Sequence, residues 1–143
     1  MAEEANAALG ELIPYLARLL NKELSDALRP LGLSPAQYDV LEFIWSEGAT
    51  SPKIVIERRA VEPSSVSGTL SRLERDGFVT RIPDPDDRRS LLVKPTERAI
   101  ALEAPARAAV LAVLTKVTQG WADRSVDLFI RAVRRAIQQL ERP

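Results

Sequence analysis

Residues 63–93, PSSVSGTLSRLERDGFVTRIPDPDDRRSLLV, decide how the chain is read, because a helix signal and a hairpin signal adjoin in them. Pro63 suits the first helical position and Gly77 the position just past a helix end, so a helix is expected from Pro63 to Asp76. Beyond it, FVTRI and LLVK are rich in β-branched and apolar residues, and a knot of two prolines, three acids and two arginines separates them. They read as two strands of a hairpin.

On that helix Val66, Leu70 and Leu73 share one side, and a 100° step puts Ser64, Gly68, Ser71, Arg72 and Arg75 on the other. A helix entering a major groove about 12 Å wide needs short side chains where backbone meets bases and long cations at the rim. Gly68 costs the helix about 1 kcal/mol against Ala, which suggests a close approach on that face. A solvated surface would have the same composition, so the helix alone leaves both readings open. In the knot, Asp84, Asp86 and Asp87 suggest calcium, but Arg89 and Pro95 stand where an EF-hand loop needs Gly and Glu. A hairpin directly after such a helix is a wing, and its tip presents Arg88 and Arg89 to solvent. Its loop is formally −1 from Asp84 to Arg89, so its attraction to nucleic acid must be directional.

Upstream, Ser51 and Pro52 start a short helix of roughly 52–60, VEP is a turn, and together with the helix from Pro63 they outline a helix-turn-helix. Ser34, Pro35 and Gln37 form a capping box for a helix over 35–47 that carries Tyr38, Val40, Leu41, Ile44 and Trp45 and stops at Gly48. Leu9, Ile13, Leu16, Leu20, Leu24 and Ala27 recur at helical spacing, with Pro14 as a first-turn residue or a kink. Downstream, Thr96 caps a helix of about 97–118 containing Ile100, Ala101, Ala104, Ala108, Leu111 and Leu114, which Pro105 should kink. A last helix places Val126, Ile130, Val133, Ile137 and Leu140 on one seam. Three apolar stripes at the chain ends call for each other and for a second copy; a monomeric bundle is the plainer alternative.

Length and composition narrow the function. The 143 residues fit one domain, and 45% hydrophobic with 28% charged residues is the balance of a globular protein. No apolar run is long enough for a membrane span and the start is acidic where a secretory signal is basic, so a cytoplasmic location is expected. With no Cys and no His there is no disulfide, thiolate zinc site, His-ligated metal or Ser-His-Asp triad. Twenty acids leave carboxylate chemistry open in principle, yet no pair sits in an apolar setting that would raise a pKa. The formal net charge is zero, so DNA affinity has to be local; sixteen of the twenty cations are Arg, the side chain suited to bidentate contacts.

The segments LSPAQYDVLEFI and EPSSVSGTLSRLERDGFVTRIPDPDDRRSLLVKPTE, about Leu33 to Thr96, resemble the MarR family of winged helix-turn-helix transcription regulators. The D-x-R wing following L-E-x-x-G-x-V-x-R in order is the most specific part. The resemblance implies a mainly α (α+β) fold over a single domain 1–143, with the winged helix-turn-helix at about 33–96 and dimerisation helices at about 5–30 and 97–143. It implies a homodimer that sets the Pro63–Asp76 helix in the major groove and the wing in the minor groove of double-stranded DNA. By position, Arg89 is the wing-tip arginine, Asp87 the acid that orients it, and Ser65, Ser67, Gly68 and Arg72 face bases or phosphates. Family members usually repress nearby genes and release DNA on binding a small, often aromatic and acidic, effector. Such a pocket would draw on Tyr15, Tyr38 and Trp45, with Arg18 or Arg81 for a carboxylate, although these aromatics are more often core.

Three departures stand out against the family pattern. Pro95 and Ala99 replace the usual Leu and Gly, Arg59 replaces an apolar residue, and Ile54 and Ile56 are larger or more apolar than usual. The expected function is a sequence-specific, ligand-responsive repressor on a pseudo-palindromic operator, with no enzyme activity, cofactor, metal or membrane. The alternatives are a winged-helix protein-interaction module, which would need no exposed wing arginines, and an enzyme using paired carboxylates.

Overall fold

Six helices and one hairpin follow one another along the described residues, 1–59 and 63–143, of the computed structural model; the side chains of 63 and 64 are not described either. The order is α1 (Ala2–Leu28), a 3-10 turn (Arg29–Leu31), α2 (Pro35–Glu47), α3 (Pro52–Arg59), α4 (Pro63–Arg75), β1 (Val79–Pro83), β2 (Leu91–Pro95), α5 (Glu97–Val117) and α6 (Asp123–Leu140). The expected VEP turn lies outside the described residues. No helix among them is long and apolar enough to cross a membrane.

Local chemistry explains the boundaries. At the start of α2 the Gln37 N–H donates to the Ser34 hydroxyl and the Ser34 N–H donates to the Gln37 side chain, which closes the capping box. At the end of α4 the Phe78 N–H donates to the Leu73 carbonyl and the Gly77 N–H to that of Glu74. This double bond pattern needs a left-handed residue at Gly77, whose φ is 79°. It turns the chain directly into β1, which pairs antiparallel with β2 from Val79↔Pro95 to Pro83↔Leu91. Thr50, between α2 and α3, adds an unexpected single antiparallel bridge to β2 by exchanging both backbone bonds with Val93.

The core is the meeting point of α2, α3, α4 and the hairpin with one end of α5. Val40, Leu41 and Ile44 of α2, Val55 of α3, Val66, Leu70 and Leu73 of α4, and Phe78, Val79 and Val93 of the hairpin are buried together with Leu28, Ala99 and Ala106. Each large apolar side chain buried this way contributes about 1.5–3 kcal/mol. Ala99 is fully buried, and Thr96 caps α5 through the Ala99 N–H while donating to the Gly77 carbonyl. The junction at Pro95 and Ala99 therefore closes with a regular cap.

One sequence expectation is corrected. Pro14 lies well inside α1, which begins at Ala2, so it is not a first-turn residue. On α5 the expected residues Ile100, Ala101, Ala104, Ala108, Leu111 and Leu114 all stand exposed, while Ala99, Ala106 and Val113 are the residues it buries. The helix is apolar on two sides, and spacing alone does not say which side meets the same chain. In α6 no residue is buried: Leu128, Ile130, Val133, Ile137 and Leu140 all stand exposed, as do Leu9, Leu12, Ile13 and Leu16 of α1.

Candidate nucleic-acid interface

α4 is amphipathic in the sense the sequence required. Val66, Leu70 and Leu73 bury one side, while Ser65, Ser67, Ser71, Arg72 and Arg75 lie exposed on the others. Thr69 is buried and its hydroxyl donates to the Ser65 carbonyl; the Ser71 hydroxyl donates to that of Ser67. Arg72 forms no ion pair or side-chain hydrogen bond among the described residues. Its guanidinium lies 3.5 Å from where a Cβ on Gly68 would stand, so it overlies the bare backbone there. Arg75 is engaged, donating to the Asp76 carboxylate at 3.0 Å. The Ser64 side chain lies outside the described residues.

The wing tip is an ordered turn built on acids. The Asp84 N–H donates to the Ser90 carbonyl, and the Asp86 N–H donates to the Asp84 carboxylate. Asp87 accepts from the Arg89 backbone N–H at 3.0 Å and from the Ser90 hydroxyl at 2.9 Å. These donors, the Arg89 N–H first, hold its carboxyl below the usual carboxylate range. Through these bonds Asp87 fixes the backbone from which Arg89 projects, and it makes no contact with the Arg89 guanidinium among the described residues. Arg88 and Arg89 are exposed, with no side-chain partner among the described residues.

Contacts that the motifs did not announce fasten the end of α4 to α2 and α5. The Gln37 side chain donates to the Asp76 carboxylate at 3.2 Å, and Asp76 is held below the usual range by Arg75 first, with Gln37 adding to the effect. Arg98 of α5 donates to the Asp76 carbonyl and lies 4.4 Å from the centre of the Phe78 ring. One side chain thus fastens the end of α4 and the base of the wing to α5. A signal was present in the sequence: a cation in the first turn of a helix opposes the helix dipole, so it has to answer to something outside that helix.

The expected effector residues do not converge. Tyr38 and Trp45 meet edge to face at 6.1 Å, and the Trp45 indole N–H donates to the Ala99 carbonyl, which places both in the α2–α5 packing. Burial pushes the Tyr38 hydroxyl's pKa up. Tyr15 and Arg18 stack on each other on exposed α1. Arg81 pairs with Glu74 of α4 at 2.8 Å, which commits it to bracing the wing against the helix. A cleft of about 380 Å³ opens elsewhere, between Leu16, Leu19 and Leu20 of α1 and Val113 and Val117 of α5.

Comparison with known proteins agrees with this geometry. The MarR family model matches residues 31–90. The multiple antibiotic resistance protein MarR of Escherichia coli is 32% identical over 94 residues, 66% of this chain and 65% of that protein. The chain therefore aligns with just under two thirds of that relative. An HTH-type transcriptional repressor of Mycobacterium tuberculosis is 32% identical over 117 residues, 79% of this chain and 84% of that protein. Among solved structures, a mutant E. coli MarR complexed with operator DNA superposes with a TM-score of 0.82 at 25% identity, over 90% of this chain and 93% of that one. CouR from Rhodococcus jostii bound to p-coumaroyl-CoA gives a TM-score of 0.76 at 28% identity, over 88% and 89%. The long alignment with the mycobacterial repressor, together with the family match over the reading unit, places this chain in the MarR family.

Proposed function

We propose that the chain is a cytoplasmic, non-enzymatic, sequence-specific DNA-binding regulator that acts as a homodimer and represses transcription until a small aromatic or acidic effector binds. The observation that carries the reading is the pairing of Arg72 beside the bare Gly68 backbone with Arg88 and Arg89 on an ordered wing, all three exposed and without ion-pair partners among the described residues. Arg72 suits a contact with base edges, and the wing arginines suit a narrow minor groove, whose negative potential compensates the loop's own acidity. The MarR structure that superposes over most of the chain holds operator DNA, which supports the same use.

Dimerisation follows from the apolar stripes left bare on α1, α5 and α6, which are too extensive for an ordinary monomer surface. Two-fold symmetry would set two α4 helices on half-sites about one helical turn apart. The effector is proposed by likeness to CouR, and it would have to act by shifting the two reading heads relative to each other. Fluorescence anisotropy with duplex from upstream of the protein's own gene, repeated at several salt concentrations, tests the reading. Specific binding should give a linear fall of log affinity with log salt. Equal affinity for a scrambled duplex would contradict it.

A further inference from the structure

The last turn of α3 carries a charge where the core would otherwise continue. Val55 is fully buried, and Arg59 lies one turn further along the same inward side of the helix. Its side chain keeps 28% exposure. There the guanidinium meets the Glu42 carboxylate, the Asp39 carboxylate at 3.5 Å, and the Phe43 ring at 5.5 Å. Asp39, Glu42 and Phe43 are three and four residues apart, so a single face of α2 forms the whole receptacle.

Glu42 is shared. Its other carboxylate oxygen lies 3.4 Å from Arg107 of α5, which also pairs with Glu103 at 3.3 Å and lies over the Trp45 ring at 5.7 Å. An alternating chain Asp39, Arg59, Glu42, Arg107, Glu103 thereby crosses α3, α2 and α5. It is incompletely satisfied, because the Arg59 Nε is closed off from solvent with no acceptor among the described residues. A buried donor left without a partner is costly, and an apolar side chain of similar volume would hold α3 to α2 without that cost. The ionic arrangement is not explained by stability.

We propose that Glu42 is a positioning residue for DNA recognition: by gripping Arg59 with one oxygen and Arg107 with the other, it makes the pose of the α3–α4 unit depend on α5. α4 packs on α3, so a change in how α3 sits is passed to the face that carries Arg72. α5 also bears the exposed stripe of Ile100, Leu111 and Leu114, so the helix that offers an apolar face to the proposed dimer also carries this ion chain. A shift of α5 that carries Arg107 away changes how the single carboxylate is divided between its two arginines. The inference rests on the regulator reading above.

The test uses a duplex that the parent protein selects from a random library, and a scrambled version of it. Glu42→Gln should weaken binding to the selected duplex about tenfold while binding to the scrambled duplex stays within about twofold, because the free cations Arg72, Arg88 and Arg89 are untouched. Adding Arg59→Met should restore the selected-duplex affinity, since Met packs in that position and needs no acceptor. Arg107→Met should alter selected-duplex affinity in the parent and leave it unchanged in the Arg59→Met background. Should Glu42→Gln fail to fold, this last comparison decides alone. A merely structural ion pair would lower both affinities together, or lower the melting temperature and neither affinity; either outcome, or an Arg107→Met effect that persists in the Arg59→Met background, overturns the proposal. A parent that selects no duplex overturns the regulator reading and this inference with it.

Discussion

Replacing Gly68 with Ala adds one methyl group to the exposed face of α4 at a point where the folded chain has room for it. The nearest atom to the new Cβ is an Arg72 guanidinium nitrogen at 3.5 Å, an ordinary contact with the far end of a flexible side chain. Removing Gly from a helix interior gains about 1 kcal/mol through propensity and a less disordered unfolded state. With an unfolding entropy near 0.3 kcal/mol/K for 143 residues, the melting temperature should rise by about 3 °C. Affinity should move the other way. If the Gly68 backbone faces bases, a methyl standing about 1.5 Å further out forces the helix from the groove floor, and a loss of ~1.4 kcal/mol is tenfold. Thermal unfolding by circular dichroism and anisotropy on the selected duplex measure both quantities on one sample. An Ala variant that is more stable and binds as the parent does would refute the placement of this face against DNA. A less stable variant would refute the open geometry of α4.

Further expectations concern single groups. Arg72→Ala should relax base preference at one position per half-site at a cost of about 1–3 kcal/mol, whereas Arg89→Ala should weaken binding most on A·T-rich flanks and lower the salt slope by about 1, both read by anisotropy. Gly77→Ala forces a left-handed alanine and should cost about 1–2 kcal/mol of stability in chemical denaturation, since φ is 79°. Because its folded-state pKa is depressed, Asp87 contributes to the wing turn at and above the ordinary carboxylate range, and the contribution is lost as pH falls through that lowered value. An NMR titration should find its midpoint below that of a free aspartate; a midpoint at or above it would contradict the hydrogen bonds to Arg89 and Ser90. Ile137→Asp on the bare α6 stripe should convert a dimer to a monomer in light scattering, and an unchanged mass would remove α6 from the interface.

What the sequence disclosed, and what it withheld, follows the range of the interactions involved. Starts and stops written by neighbouring residues were legible: the Ser34–Gln37 box, Thr96 ahead of α5, and Gly77 after α4 all act within a few residues. The wing was legible for the same reason. Hidden from the sequence were the choices that a distant partner makes. Which apolar side of α5 meets its own chain is decided by α1 and α2. Arg81, read as a ligand contact, is claimed by Glu74 on α4, and Arg98 by a carbonyl that only the fold brings near. Asp87 is instructive in between, because its residue type and position marked it for the wing turn, while the fold names its donors, the Arg89 backbone N–H and the Ser90 hydroxyl. Arg59 stood out in the sequence only as a cation in an apolar residue's place, and the partners that answer it, Asp39, Glu42 and Phe43, line one face of α2.

Hydroxyl-radical footprinting of the full-length protein on its selected duplex tests the central claim, that two copies read DNA with α4 and the wing. Two symmetric protected patches centred about one helical turn apart, each flanked by minor-groove protection that Arg89→Ala removes, are expected. A single patch without symmetry, or protection spread evenly along the duplex, would contradict the account.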